Sequence, residues 1–190
     1  MQVINTKERI ILGIDPGTAV MGYGLVKETG PKIELISLGV VKMDKIDDHM
    51  LKLQRIFEKT VALIDNYKPD CLAIEAPFYG KNIQVMLKLG RAQGVAMAAA
   101  LSRSIEVTEY SPRKIKQSIT GNGNATKEQV AAMLQNLLSF KETPDFLDAT
   151  DGLAVAVCHS FQKISTGKST SKKSYSGWDT FVKDNAKRIV

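Results

Sequence analysis

Apolar positions in the first forty residues recur at the short period of strands. Residues 9–15, 20–27 and 32–43 are rich in isoleucine, leucine and valine, and Gly17, Gly22, Gly30 and Pro31 punctuate them. This predicts three strands whose connections are short enough to favour an antiparallel meander. The period then lengthens. Over residues 47–67, Leu51, Leu53, Ile56, Phe57, Val61 and Ile64 recur at helical spacing, behind aspartates that suit a helix N-terminus. Residues 70–75 form a short apolar run, predicted as a fourth, buried strand. A second helix is predicted over 82–101 and a fifth strand over 105–110. Pro112 opens a short helix to about residue 119, and a glycine-rich turn, Gly121-Asn122-Gly123-Asn124, follows. Thr126 with Gln129 matches a capping box for a helix to Leu138, and Thr143 followed by Pro144 matches the N-cap and first turn of a last helix to about Ile164. Three antiparallel strands followed by alternating helices and strands imply a mixed α/β sheet flanked by helices.

Composition narrows the class. A chain of 190 residues with 44% hydrophobic content suits one compact domain with a real core. That domain is expected to span 1–164. Residues 165–177 are rich in serine, threonine, lysine and glycine and read as a flexible basic linker, while Trp178, Phe181, Val182 and Ile189 place apolar groups on a short potential helix within the 165–190 tail. No stretch has the make-up of a signal peptide or a membrane span, so a cytoplasmic protein is expected. The two cysteines, Cys71 and Cys158, each lie in an apolar run without CxxC or histidine spacing, and are read as buried reduced thiols. His49 and His159 stand isolated and are read as non-ligands.

The net charge of +6 is uneven: residues 163–190 carry seven basic groups against two acidic ones, leaving the body close to neutral. That balance would shift strongly if a few acids of the body were neutralised by metal. The body would then suit a polyanionic partner.

Four acids stand out. Asp15 ends the run Ile10-Ile11-Leu12-Gly13-Ile14, and Glu75 ends Cys71-Leu72-Ala73-Ile74. A carboxylate at the end of a buried strand needs cationic compensation for its desolvation, whether from a salt bridge or from a metal. Asp148 and Asp151 are three apart on the last predicted helix, ahead of the small apolar run 153–157, and so share one face. Asp145 has the same spacing from Asp148 but falls in the first turn, where a helix-dipole role explains it. Four oxygen-donor side chains without a cysteine or histidine cluster suit a hard cation such as magnesium or manganese. Two such ions can activate water and stabilise the leaving oxygen of a phosphodiester.

Gly13-Ile14-Asp15-Pro16-Gly17-Thr18, Ile74-Glu75-Ala76-Pro77-Phe78, the stretch Leu87-Lys88-Leu89-Gly90-Arg91-Ala92-Gln93-Gly94, and Asp148-Ala149-Thr150-Asp151-Gly152-Leu153-Ala154 resemble, in order, the successive motifs of the RuvC family of Holliday junction resolvases. The resemblance implies an RNase H-like fold, with a five-stranded sheet of three antiparallel and then two parallel strands. It implies a homodimer that nicks four-way junction DNA symmetrically, leaving 5′-phosphate and 3′-hydroxyl ends, with the RuvA–RuvB branch-migration complex as a further partner. It maps the catalytic and metal-binding acids onto Asp15, Glu75, Asp148 and Asp151, served by two Mg2+ ions per subunit that Mn2+ can replace.

DNA contacts are expected around these acids. Phe78 sits in a loop where its ring could stack on an unpaired base, and in RuvC-like proteins an aromatic here contacts the junction centre; the alternative is a core anchor. Lys116 and Lys127 flank the glycine-rich turn, and the resemblance places both near the scissile strand as phosphate contacts. Lys81, Arg113 and Lys114 are further candidates. Three rival readings stay in view. A Gly-Ile-Asp-Pro-Gly-Thr start also resembles the phosphate loop of the actin and sugar-kinase ATPases, which need a second lobe; a YqgF-like nuclease is a closer alternative in fold; and a non-catalytic branched-DNA-binding module would not need four acids.

Overall fold

The computed structural model describes residues 8–78, 82–141 and 146–166. Strands β1 (Glu8–Asp15), β2 (Val20–Thr29) and β3 (Lys32–Lys42) precede α1 (His49–Tyr67), β4 (Cys71–Glu75), α2 (Ile83–Leu101), β5 (Glu106–Tyr110), α3 (Pro112–Thr120), α4 (Lys127–Leu138) and α5 (Phe146–Thr166). The sheet runs β3-β2-β1-β4-β5. β1 and β2, and β2 and β3, pair antiparallel, whereas β4 runs parallel to both β1 and β5. This is the mixed sheet expected from the periodicity.

Capping fixes the helix starts. Asp48 accepts hydrogen bonds from the Met50 and Leu51 amides, so α1 begins two residues later than the periodicity alone suggests. Thr126 and Gln129 form the expected capping box, each side chain accepting from the other's backbone amide. Asn82 caps α2, and Ser111 caps α3 with Pro112 in its first turn. The expected cap at Thr143 and Pro144, Asp145, and the tail from residue 167 lie outside the described residues.

Strand alternation sends side chains to two separate cores. Leu12, Ile14, Met21, Leu25, Leu72 and Ile74 pack with Ile56, Leu63 and Ile64 of α1 and Ala92, Ala96 and Ala100 of α2. Ile11, Val26, Cys71 and Ala73 face the other way, onto Ile115, Ile119, Val130, Leu134 and the run 153–158 of α5. Both cysteines are buried, as expected, and neither forms a disulfide among the described residues. His159 is less isolated than its sequence position suggests: it sits between Cys71 Sγ (3.4 Å) and Tyr110 Oη (2.9 Å). Among the described residues no helix is long and apolar enough to cross a membrane.

Helix α5 lies unusually close to the sheet, and glycines make that possible. A β-carbon at Gly13 would come within 3.0 Å of Gly152 O and Ala156 N; one at Gly24 would do the same to Leu153 Cα and N. Gly22 stands inside β2, within the strand expected over 20–27, where a β-carbon would collide with Asp148 O. Gly152 answers from the helix side, where a β-carbon would fall 2.5 Å from the Tyr23 Cα and N. Backbone here packs on backbone.

Gly24→Ala or Gly13→Ala is therefore expected to destabilise the protein by at least about 1–3 kcal/mol, the usual range for overpacking. Gly90→Ala, on an α2 face where a β-carbon meets nothing of its own chain within 4 Å, should instead stabilise the fold of the unassociated subunit by about 0.5–1 kcal/mol. Urea unfolding of the three variants measures the contrast, and equal stabilities would refute the close packing of α5.

Candidate active site

The alternation that sends Ile11 and Gly13 toward α5 sends Asp15 there too, and Cys71, Ala73 and Glu75 follow the same rule on β4. In the parallel register Ile14 lies opposite Ile74, so one step further places Asp15 beside Glu75 at the C-terminal ends of neighbouring strands. Crevices at such strand ends are where open α/β sheets bind ligands. The glycine contacts then carry Asp148 and Asp151, in the first turns of α5, up to the same edge. Lys127, the first residue of α4, completes the cluster, its Nζ lying 2.5 Å from Asp151 Oδ2 and 3.7 Å from Asp148 Oδ1.

The electrostatics are those of acids held together against their preference. Burial, with repulsion from Asp151 and Asp148 outweighing attraction to Lys127, raises Asp15 from 3.8 to about 6. Glu75 rises from 4.5 to about 8, mainly through burial and then through Asp15 and Asp151. Asp151 is also raised, with burial outweighing its bond to Lys127. Burial alone would lower Lys127, but the Asp151 carboxylate and the other acids hold its ammonium above the ordinary range. One lysine compensates one carboxylate well and leaves the others short of positive charge.

A cavity of about 580 Å³ opens beside these groups. It is lined by the acids Asp15, Glu75 and Asp151, the bases Arg113, Lys116 and Lys127, and the apolar Ile115, Val130 and Ala154. Phe78 stands on the rim with 72% of its surface exposed, which rules out a core anchor. Lys114 is exposed on α3 away from the cavity lining, and Lys81 lies outside the described residues.

Two features escaped the sequence reading. Gly123 and Asn124 line the cavity, held by a braced loop in which Gln117 donates to Gly121 O and accepts from the Gly123 amide, while Asn122 accepts from the Asn124 amide. The alternating glycines and asparagines were a signal for such a turn. The other is Gln93, a polar residue in the otherwise small and apolar stretch of α2, which reaches the Glu75 main chain.

An all-oxygen acid set in which Asp15, Glu75 and Asp151 are raised fits a hard divalent cation, because added positive charge would let Asp15 and Glu75 ionise together near neutral pH. Among the described residues no three acidic, cysteine or histidine side chains already converge as ligands of one ion. Lys127 instead lies beside Asp151, so a cation held there would compete with its ammonium.

Comparison with known proteins identifies the family and the fold. The family model described as crossover junction endodeoxyribonuclease RuvC matches residues 11–159. A protein of that name from Christiangramia forsetii is 61% identical over 96% of this chain and 93% of its own length. Another, from Porphyromonas gingivalis, is 52% identical over 98% of this chain and all of its own. The solved structure of T. thermophilus RuvC in complex with Holliday junction substrate is similar with a TM-score of 0.75 at 31% identity, covering 83% of this chain and 96% of that one. The shared fold is RNase H-like.

The raised acids imply a pH dependence whose sign is fixed. Between about 4.5 and 8 the unfolded chain has lost the Glu75 proton while the folded chain retains it, so stability falls as pH rises through that window. In EDTA, the melting temperature is expected to drop between pH 5 and pH 8.5, at roughly 2–4 °C per kcal/mol lost. Millimolar magnesium should restore it far more at pH 8.5 than at pH 5, and Glu75→Gln should flatten the EDTA profile. A flat wild-type profile in EDTA would contradict the charge assignment.

Proposed function

The chain belongs to the RuvC family of crossover junction endodeoxyribonucleases, and from that premise we propose that it resolves Holliday junctions by symmetric, metal-dependent hydrolysis of phosphodiesters. The observation that carries this reading is that one cavity is lined by both the acids Asp15, Glu75 and Asp151 and the bases Arg113, Lys116 and Lys127. A phosphodiester needs both kinds of group. A binding module would use the basic groups and have no use for the acids, whose confinement costs stability.

Asp15, Glu75, Asp148 and Asp151 are the residues that would hold two magnesium ions, or manganese in their place. Such ions, when bound, supply activation of the attacking water and neutralisation of charge at the leaving oxygen. The side chains do the rest. Lys127, displaced from Asp151, is within reach of a backbone phosphate in the cavity, and the start of α4 adds free amides to the same anion. Lys116 and Arg113 position the strand by further phosphate contacts, with Lys114 and Lys81 extending them along the DNA. Phe78 offers an exposed ring on which a base at the opened junction can stack. The products are 5′-phosphate and 3′-hydroxyl ends.

Cutting two opposed strands calls for two such sites related by a two-fold axis, hence a homodimer. Helix α2 suits the seam. Ile83, Leu87, Gly90, Gly94, Ala98 and Leu101 are all exposed and recur every three or four residues along one face. Gly90 and Gly94 leave open space where a second backbone can approach. Cytoplasmic residence and contact with the RuvA–RuvB branch-migration complex complete this reading.

A synthetic four-way junction tests it directly. With magnesium, paired symmetric nicks are expected; Asp15→Asn, Glu75→Gln and Asp148→Asn should abolish them while junction binding, which depends mainly on phosphate contacts, persists. Near-normal nicking by any of the three would refute the acid assignment. Phe78→Ala should bind but nick at least about tenfold more slowly, since stacking is worth roughly 1–3 kcal/mol per base; unaltered nicking would remove Phe78 from the site. For the dimer, light scattering at micromolar concentration should give twice the chain mass for the wild type and the chain mass for Gly94→Glu, whose nicks should lose their pairing. A wild-type monomer that still makes paired nicks in one binding event would defeat the dimer.

A further inference from the structure

Among the described residues, the buried polar side chains are Thr60, Gln93, Thr150 and Ser160. Thr60 and Thr150 return their hydroxyls to their own helices, and Ser160 meets Glu28. Gln93 does something different. From the inner face of α2 its Nε2 donates to Glu75 O at 3.3 Å and to Glu109 Oε2 at 2.8 Å. Both partners are pure acceptors, so only the NH2 end of the amide can face them, and its two hydrogens are matched to two acceptors. On the other side of the same peptide, the Ala76 amide donates to Tyr110 O at 2.8 Å.

The peptide that follows Glu75 is thus held at both its polar groups, just where β4 ends and the chain turns out toward Phe78. A carboxylate on a strand end with nothing to fix the next peptide could relieve repulsion from Asp15 and Asp151 by rotating away. Here the main chain is pinned by an amide fixed on Glu109. We propose that Gln93 is a positioning residue, which holds the Glu75 backbone so that the Glu75 carboxylate stays directed at the cavity and ready for a metal ion. The inference rests on the reading that Glu75 is a metal ligand.

The supporting role has a signature in metal affinity. Residues that orient metal ligands typically cost about 10- to 100-fold in affinity when removed. With full-length protein and no DNA, Mn2+ binding followed by calorimetry and by electron paramagnetic resonance should weaken at least about tenfold in Gln93→Met, which keeps the side-chain length and loses both hydrogen bonds. Gln93→Glu, facing two acceptors with a third, should weaken it further. Glu109→Ala, altering an exposed side chain, should weaken it less but in the same direction. On junction DNA, the magnesium concentration for half-maximal cleavage should rise in step, with kcat reduced below saturation and KM for the junction unchanged.

A merely structural Gln93 would lower the melting temperature and the active fraction without moving either metal constant. That outcome, or a folded Gln93→Met with wild-type Mn2+ affinity, overturns the proposal. If Gln93→Met does not fold, Glu109→Ala decides: wild-type affinity there overturns it equally. Glu75→Gln separates the two layers of argument. Wild-type Mn2+ affinity in Glu75→Gln would defeat Glu75 as a ligand, whereas loss in Glu75→Gln with none in the Gln93 and Glu109 variants would defeat only the positioning role.

Discussion

The architecture of the site depends on one steric constraint, the contact of α5 with the glycine-lined face of β1 and β2. Ordinary helix-on-sheet packing leaves a layer of side chains between the two backbones. At Gly13, Gly22, Gly24 and Gly152 that layer is missing, and the helix backbone rests on the strands. Only this approach brings acids from the first turns of α5 to the level of an acid on β1. A larger residue at any of these positions would push the helix out and move Asp148 and Asp151 with it, so the geometry of the carboxylates is set by residues with no chemistry of their own.

The constraint also explains the electrostatic tension. Packing energy from a long apolar helix, with the run from Leu153 to Cys158 fully or almost fully buried, is what holds like charges together. Lys127 relieves part of the repulsion in the metal-free protein, and the capping box at Thr126 fixes where that lysine starts. Its ammonium is bound to acids that a metal would also seek. Under the proposed function a bound cation would compete with Lys127 for Asp151, and the ammonium so released would be available to a phosphate.

Much of this was legible beforehand because it is local. Period and caps located all ten elements, and acids closing apolar runs marked Asp15 and Glu75 before any contact was known. The last helix start fell on residues outside those described. What was not legible is long-range. Gly13 and Gly152 are individually ordinary glycines, and nothing near either one in the chain says that they touch. Lys127 and Asp151 are 24 residues apart on different helices, and their pairing follows from how α4 and α5 cross. Gln93 lies within the Leu87–Gly94 motif, but its partners on β4 and β5 come together only through the fold.

The sheet separates two tasks. Its α5 face bears the acids, the cavity and the bases, while α1 and α2 cover the opposite face and leave an apolar and glycine-lined stripe of α2 exposed beyond them. The seam proposed on α2 would leave the cavity open to DNA and would lie across the sheet from it. Gln93 spans the two sides. It sits on the inner face of the helix whose outer face carries the stripe, and its amide ends on the main chain of Glu75, so a shift of α2 toward or away from the sheet is felt first at an acid of the site.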